Sequence, residues 1–174
     1  ITFGQSVELC NYAENIQHLL HQVKKSGGLS FIAHPFEKAL PQVNETDITW
    51  EDWEVSGFNG IEIWNHLSEL KNESSNWIKL LFYVFNPAFY GHGPHPMAIQ
   101  KWDELLISGK KIIAVGGSDA HRLVVRKGLI KKIIFPYQFH FRSINNHILT
   151  RQTFTGNFST DRKIILEAFQ KGNL

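Results

Sequence analysis

Three short apolar segments, separated by stretches of helical periodicity, constrain the fold of this chain more than any other feature. They are residues 29–33, 60–64 and 111–115, and each is bounded by turn-forming residues. Uninterrupted apolar runs of this length are typical of strands buried on both faces, as the strands of a parallel sheet are. The alternation of helix and strand therefore predicts an α/β fold with a mainly parallel sheet, in which residues 129–135 form a fourth strand.

Helices are predicted between these strands, at residues 12–26, 73–85, 97–108, 141–149 and 160–171. From Ile16 onward, apolar residues follow the spacing i, i+3, i+4 and i+7 of one helix face. Gly27 predicts a left-handed end for the first helix, and Gly172 ends the last one, which Thr160 or Asp161 would cap. Residues 44–53 are interpreted as a loop with a short helix, and residues 86–96 as a loop.

Composition limits the class of protein. The 174 residues are 43% hydrophobic and 20% charged, as expected of one globular domain. A net charge of +2 is too small to favour nucleic acid as a partner. The longest apolar run, residues 80–85, is far shorter than the ~20 residues that span a bilayer, which predicts no membrane insertion. The single cysteine, Cys10, excludes an internal disulfide and weakly favours the cytoplasm.

Ionisable side chains follow the predicted strands, where α/β proteins place their functional residues. Asp119 and His121 follow the third strand, and in extended backbone residues two apart point to the same side. A carboxylate beside an imidazole suits zinc, manganese or iron. His34 follows the first strand and can converge with them. The alternatives are a capping Asp119 beside a surface His121, and a structural turn histidine at position 34.

Three further residues are candidate substrate contacts. Glu62 lies within the second strand and either supports a site or pairs with a basic neighbour. Asn65 ends that strand and is placed to shape a pocket. Arg122 either neutralises an anionic substrate or is a solvated surface residue. His92 and His95 lie in a loop long enough to cover a site, where they either contact substrate or pack within the loop.

Three motifs resemble the polymerase and histidinol phosphatase (PHP) superfamily of metal-dependent phosphoesterases. They are GGLSFIAHPF at residues 27–36, GIEIWNH at residues 60–66 and VGGSDAH at residues 115–121. The segments ITWEDW, WDELL, FRSINNHIL and EAFQKGN resemble the branch that includes bacterial carbamate-ester hydrolases. The resemblance covers most of residues 25–174. It implies a distorted, TIM-like seven-stranded β/α barrel with two or three divalent metal ions, for which His34, Asp119 and His121 are ligands.

The chain also departs from the family pattern. The family's opening His-x-His, its Asp-His pair and its bridging glutamate have no counterpart before His34. The chain begins at Ile1, and its only methionine is Met97. We therefore expect residues 1–174 to be the carboxyl-terminal part of one PHP-like domain whose first strands are absent. A catalytic zinc usually takes three protein ligands, so we expect the chain alone to bind metal poorly and to be inactive. We also expect exposed sheet edges.

The resemblance implies a metal-dependent hydrolase of phosphoesters or of carboxylic or carbamate esters. Metal-activated water would attack the substrate, and Asp119 or His121 would orient that water and carry its proton. The small-molecule ester is the expected partner, and no oligomeric state is predicted. The alternative is a non-catalytic interaction or regulatory module that keeps a remnant of the PHP fold.

Overall fold

The structure is a computed structural model that describes residues 1–127 and 130–174. Its strands are β1 (Thr2–Phe3), β2 (Leu29–Ile32), β3 (Gly60–Asn65), β4 (Ile113–Gly117), β5 (Leu123–Lys127) and β6 (Ile130–Ile134). Its helices are α1 (Ile16–Lys25), α2 (His66–Glu73), α3 (Trp77–Phe85), α4 (Pro96–Ile107), α5 (Tyr137–Ser143) and α6 (Phe158–Lys171). In the described part of the chain, no helix has the length and apolar character that crossing a membrane requires.

The main sheet has four strands in the order β1-β2-β3-β4. The pairs β2–β3 and β3–β4 are parallel, and β1 adds an antiparallel edge to β2. The predicted α/β class and mainly parallel sheet are therefore confirmed. The sheet is open among the described strands, so it does not confirm a partial barrel.

Apolar residues cover both faces of this sheet, which explains why its strands are apolar runs rather than alternating ones. On one face, Leu20 of α1 and Leu105 of α4 pack with Ile32 and Ile61. On the other face, residues of α6 pack against Leu29, Phe31 and Ile113. The predicted strands at residues 29–33, 60–64 and 111–115 correspond to β2, β3 and β4, with ends that differ by up to two residues.

The predicted fourth strand at residues 129–135 does not join the main sheet. Leu129 lies outside the described residues, and β6 pairs antiparallel with β5 in a separate two-stranded sheet. The physical reason is that β5 and β6 are separated by only two positions, and strands joined so closely pair antiparallel, as in a hairpin.

The predicted helix at residues 141–149 is also wrong, because α5 spans Tyr137–Ser143 and the segment after it is not helical. Asn146 uses its side-chain amide instead to bind the backbone of β4. It accepts from the Gly116 N–H at 2.9 Å and donates to the Gly116 carbonyl at 2.8 Å. Asparagine competes well for such backbone contacts outside helices. The contact covers part of the β4 edge that the sequence predicts to be exposed.

Smaller differences concern the ends of elements. α6 begins at Phe158 and is capped by Asn157 rather than by Thr160 or Asp161. The left-handed ends at Gly27 and Gly172 are confirmed, with φ of 75° and 71°. Residues 44–53 contain no helix, and a short 3₁₀ helix lies just before them at Pro41–Val43. The sequence predicts neither α2 nor β1.

We predict that Gly60→Ala destabilises the fold by about 3 kcal/mol, because the strands leave no room for a side chain there. An added Cβ would lie 2.2 Å from the Ile113 carbonyl oxygen and 2.6 Å from the Phe31 ring. Gly91→Ala is the matched control, since its Cβ would meet nothing closer than 3.6 Å. Urea unfolding of both variants measures the difference, and equal stability would contradict this account of the strand spacing.

Candidate functional site

The buried carboxylate of Glu62 joins the carboxyl ends of two parallel strands. It lies on β3, next to an irregularity in the pairing with β4 between Glu62 and Trp64. Its Oε2 accepts the backbone N–H of His34 at 2.7 Å and the side-chain amide of Asn65 at 3.0 Å. Asn65 also caps α2, since its Oδ1 accepts the Ser68 N–H at 2.9 Å. Both the NH₂ group and the oxygen of the Asn65 side chain thus form hydrogen bonds within the fold.

The same carboxylate lies directly against the end of β4. An added Cβ at Gly117 would lie 1.9 Å from Glu62 Oε1, so only glycine permits this approach. Glycine at position 117 therefore has a specific reason, which is close contact between the β4 backbone and a buried carboxylate. Glu62 consequently contacts residues at the ends of β2, β3 and β4.

Burial raises the pKa of Glu62 above its ordinary value of 4.5. The hydrogen bonds from Asn65 and His34 act in the opposite direction, and the charge of Asp119 raises the pKa further. A carboxyl that is desolvated and lies near a second carboxylate is typical of functional sites, although buried structural networks produce the same shift. Here the shift indicates that Asp119 is within electrostatic range of Glu62.

Asp119 and His121 lie side by side after β4, as predicted, but not for the predicted reason. The backbone there is not extended, because Asp119 has a left-handed φ of 47°. The turn brings His121 Nδ1 within 3.3 Å of Asp119 Oδ1 and 2.9 Å of the Asp119 carbonyl oxygen. Since that carbonyl only accepts, Nδ1–H donates to it and the lone pair of the neutral ring is on Nε2. This tautomer is common among metal-binding histidines.

His34 lines a cleft of about 490 Å³. It has a left-handed φ of 33°, and its Nδ1 is buried without a hydrogen-bond partner among the described residues. A buried imidazole nitrogen without a partner costs free energy and suggests an absent ligand. The cleft is lined by residues 34–36, 38, 64, 65, 68, 69, 72, 73, 92–96 and 98.

Glu69 of α2 fixes the loop over this cleft. Its Oε1 accepts the backbone N–H of His92 at 2.6 Å, and its Oε2 accepts Trp64 Nε1–H at 2.7 Å. His95 stacks on Phe36 with ring centroids 5.7 Å apart, and its Nδ1 accepts from the N–H of Met97. His92 and His95 thus both border the cleft and pack within their loop.

The predicted site residues are brought together only in part. Glu62 contacts His34 and Asn65, and Asp119 contacts His121, but only His34 and Asn65 of these five line the cleft. The His121 side chain is 62% exposed, and Arg122 is also exposed. Across residues 1–127 and 130–174, no group of three or more His, Cys, Asp or Glu side chains is arranged to hold a metal ion. The three-ligand set of His34, Asp119 and His121 stays a prediction.

Sequence reasoning missed a buried histidine pair that supports the His121 loop. His140 of α5 is fully buried, and its Nε2 donates to the His121 carbonyl at 3.3 Å. The ring of His66 lies 6.3 Å from it, centroid to centroid, and a hydrogen bond of 3.1 Å joins His66 Nδ1 to the hydroxyl of Tyr90. The available signal was the phenylalanines that flank His140, which indicate a buried imidazole.

We predict that Glu62→Ala lowers the free energy of unfolding by about 3 kcal/mol, because it leaves the His34 N–H and the Asn65 amide without an acceptor. Glu62→Gln keeps an acceptor and removes a buried charge. Because the pKa of Glu62 is raised on folding, ionisation costs stability as pH rises above 4.5, so this variant should be at least as stable as wild type at neutral pH. Denaturant titrations test both, and a glutamine variant as unstable as the alanine variant would contradict the assignment.

We predict that the protein loses stability as pH falls from 6.5 towards 4, because of His66. Burial, with a smaller effect of His140, lowers the pKa of His66 from 6.5 to about 4. The unfolded chain therefore binds a proton that the folded chain excludes, and each tenfold difference in proton affinity costs about 1.4 kcal/mol of stability. His66→Gln should flatten the pH dependence of the unfolding midpoint, whereas His21→Gln, at an exposed position, should leave it unchanged. An unaltered slope in His66→Gln would contradict this origin.

No protein-family model, curated protein or solved structure matches this chain. The likeness to the PHP superfamily therefore rests on the motifs around His34, Glu62 and Asp119.

Proposed function

We propose that this chain is part of a metal-dependent hydrolase of phosphoesters or of carboxylic or carbamate esters. The observation that carries the proposal is the position of Glu62, which contacts His34, Asn65 and Gly117 at the ends of three adjacent parallel strands. These positions coincide with the three family-like motifs. Functional groups of parallel α/β folds collect at this edge.

Under this proposal, the open sheet belongs to a distorted, TIM-like β/α barrel of the PHP type. The ends of β2, β3 and β4 form part of its rim, and the cleft beside His34 receives the substrate. The cleft is lined in part by Lys38, whose cation suits an anionic ester. Arg122 lies exposed after His121 and is a second cation available to an anionic group.

His34, Asp119 and His121 would hold the metal in this proposal. The donor chemistry fits. His34 Nδ1 is buried without a partner among the described residues, and His121 donates its Nδ1–H to a carbonyl, which leaves the lone pair of its Nε2 available to a metal ion. A divalent zinc, manganese or iron ion would supply Lewis-acid activation of water and of the ester. Because only three donors are assigned to a centre of two or three ions, further ligands must come from outside this set.

The chain's own residues have separable tasks. Asp119 is the carboxylate available to accept a proton from the attacking water, and His121 Nδ1 lies 3.3 Å from its Oδ1. Glu62 is a positioning residue, since it holds the His34 backbone rather than facing the cleft. Asn65 spans both roles, because it borders the cleft while its amide orients Glu62.

One observation favours the second candidate, a non-catalytic interaction or regulatory module with a remnant PHP fold. In the described part of the chain, the potential ligands do not form a group of three or more. Glu62 would then serve only to join the strand ends. The two candidates differ in whether the protein binds a divalent ion and hydrolyses esters.

We predict that Asp119→Asn in the intact gene product lowers metal-dependent hydrolysis of nitrophenyl phosphate or nitrophenyl ester by about 100-fold or more. Asparagine tolerates the left-handed backbone at this position and removes the charge, so the fold is preserved. Asp103→Asn, at an exposed position of α4, is the control and should keep full activity. The readouts are metal content and turnover with added manganese or zinc.

Three outcomes separate the candidates. Turnover lost in Asp119→Asn and kept in Asp103→Asn supports the hydrolase. Full turnover in Asp119→Asn refutes the assigned role of Asp119. A wild-type protein that neither binds manganese or zinc nor hydrolyses any ester of the panel refutes the hydrolase and leaves the interaction module.

A further inference from the structure

The helix α3 exposes a continuous apolar face, which we name the α3 face. It consists of five residues of the helix and one residue that follows it: Trp77, Ile78, Leu81, Phe82, Phe85 and Phe89. The spacing i, i+1, i+4, i+5 and i+8 places the first five on one side of a helix. The ring of Phe89 contacts that of Phe82 at 5.5 Å between centroids, which makes the surface continuous.

α3 is apolar over most of its surface, although the fold covers only one side of it. Leu80 is buried, and Tyr83 and Val84 pack into the cluster formed by Leu70, Tyr90 and Phe135. A helix that is hydrophobic all round is typically covered all round. Its only charged residue, Lys79, is exposed and lies off the α3 face. The sequence of α3 thus indicates a second covering surface.

The size of the α3 face matches one half of a protein–protein interface. The exposed fractions are 56% for Trp77, 81% for Ile78, 51% for Leu81, 46% for Phe82, 59% for Phe85 and 61% for Phe89. At ~200 Å² for each fully exposed large side chain, they amount to roughly 700 Å². The largest apolar patch of a typical monomer is about 300–600 Å². A standard interface buries about 800 Å² on each partner.

We propose that the α3 face is the interface of a homodimer, in which α3 packs antiparallel against α3 of a second copy. A twofold axis at Leu81 pairs this residue with itself. Trp77 lies four positions before Leu81 and Phe85 lies four positions after it, so each packs against the other of the second copy. Large side chains thus meet at both ends of the interface and smaller ones at its centre.

The absence of charged residues from the α3 face favours a second copy of this chain as its binding partner over a membrane or a charged protein. A twofold interface places each residue near its own counterpart, so a neutral surface avoids repulsion between like charges. A membrane surface would instead be matched by several basic residues along the helix, and α3 offers only Lys79. The face also carries no charge with which a partner of opposite charge could be selected.

The first test is the mass of the protein in solution, measured by sedimentation or light scattering over a range of concentrations. Wild type should have twice the mass of one chain, which for the 174 residues alone means twice 20.0 kDa. Ile78→Glu should raise the dimer dissociation constant by about 100-fold or more, because it places a charge in an apolar interface. Ile78 is 81% exposed, so this change spares the core. Ile107→Glu, at an 86% exposed position of α4, is the matched control and should remain dimeric.

The second test probes the position of the twofold axis. Leu81→Cys in a Cys10→Ser background should form an intermolecular disulfide under mild oxidation, whereas Ile107→Cys in the same background should not. A monomeric wild type at every concentration, or a dimer equally stable in both glutamate variants, would overturn the proposal. Flotation of monomers with phosphatidylserine vesicles, abolished by Ile78→Glu, would assign the face to a membrane instead.

Discussion

The buried carboxylate of Glu62 is the interaction on which the arrangement of the strand ends depends. A buried charge is tolerated only when hydrogen-bond donors satisfy it. Here the donors are the His34 N–H and the Asn65 amide, so the ends of β2 and β3 are fixed relative to each other. The need for room beside the carboxylate then requires glycine at position 117 of β4. One residue thus determines where three strands end and where the candidate ligands begin.

The sequence predicts β2, β3 and β4 well because burial on both faces produces a local signal, an uninterrupted apolar run. It fails where the outcome depends on distant contacts. Asn146 is drawn from a predicted helix into hydrogen bonds with Gly116, which lies thirty positions earlier. β6 resembles a strand of the main sheet in composition, but it pairs with β5, which precedes it by only two positions. Local periodicity carries no information on either contact.

The candidate site shows the same division. Parallel strands end at one edge of the sheet, and at that edge Glu62 contacts His34 and Asn65, whereas the predicted convergence of His34 with Asp119 and His121 stays a prediction. The sequence does not predict the geometry of Asp119, because aspartate adopts a left-handed backbone more often than most residues, but the residue type alone does not show at which aspartate this occurs. Asp119 and His121 are in contact because of this turn, and not because they lie on an extended strand as the sequence predicts. The sequence therefore identifies residues more reliably than it identifies the conformation that unites them.

The buried histidines explain how an irregular loop can be held in place. The His121 carbonyl lies outside any strand or helix and needs an N–H donor, which His140 supplies from α5. This arrangement leaves His140 Nδ1 without a partner among the described residues and places His66 close by, where burial favours its neutral form. An apolar cluster of the same size would avoid both costs but could not orient the carbonyl. By accepting such costs beside the His121 backbone, the fold stabilises one conformation of this loop, as the proposed site would require.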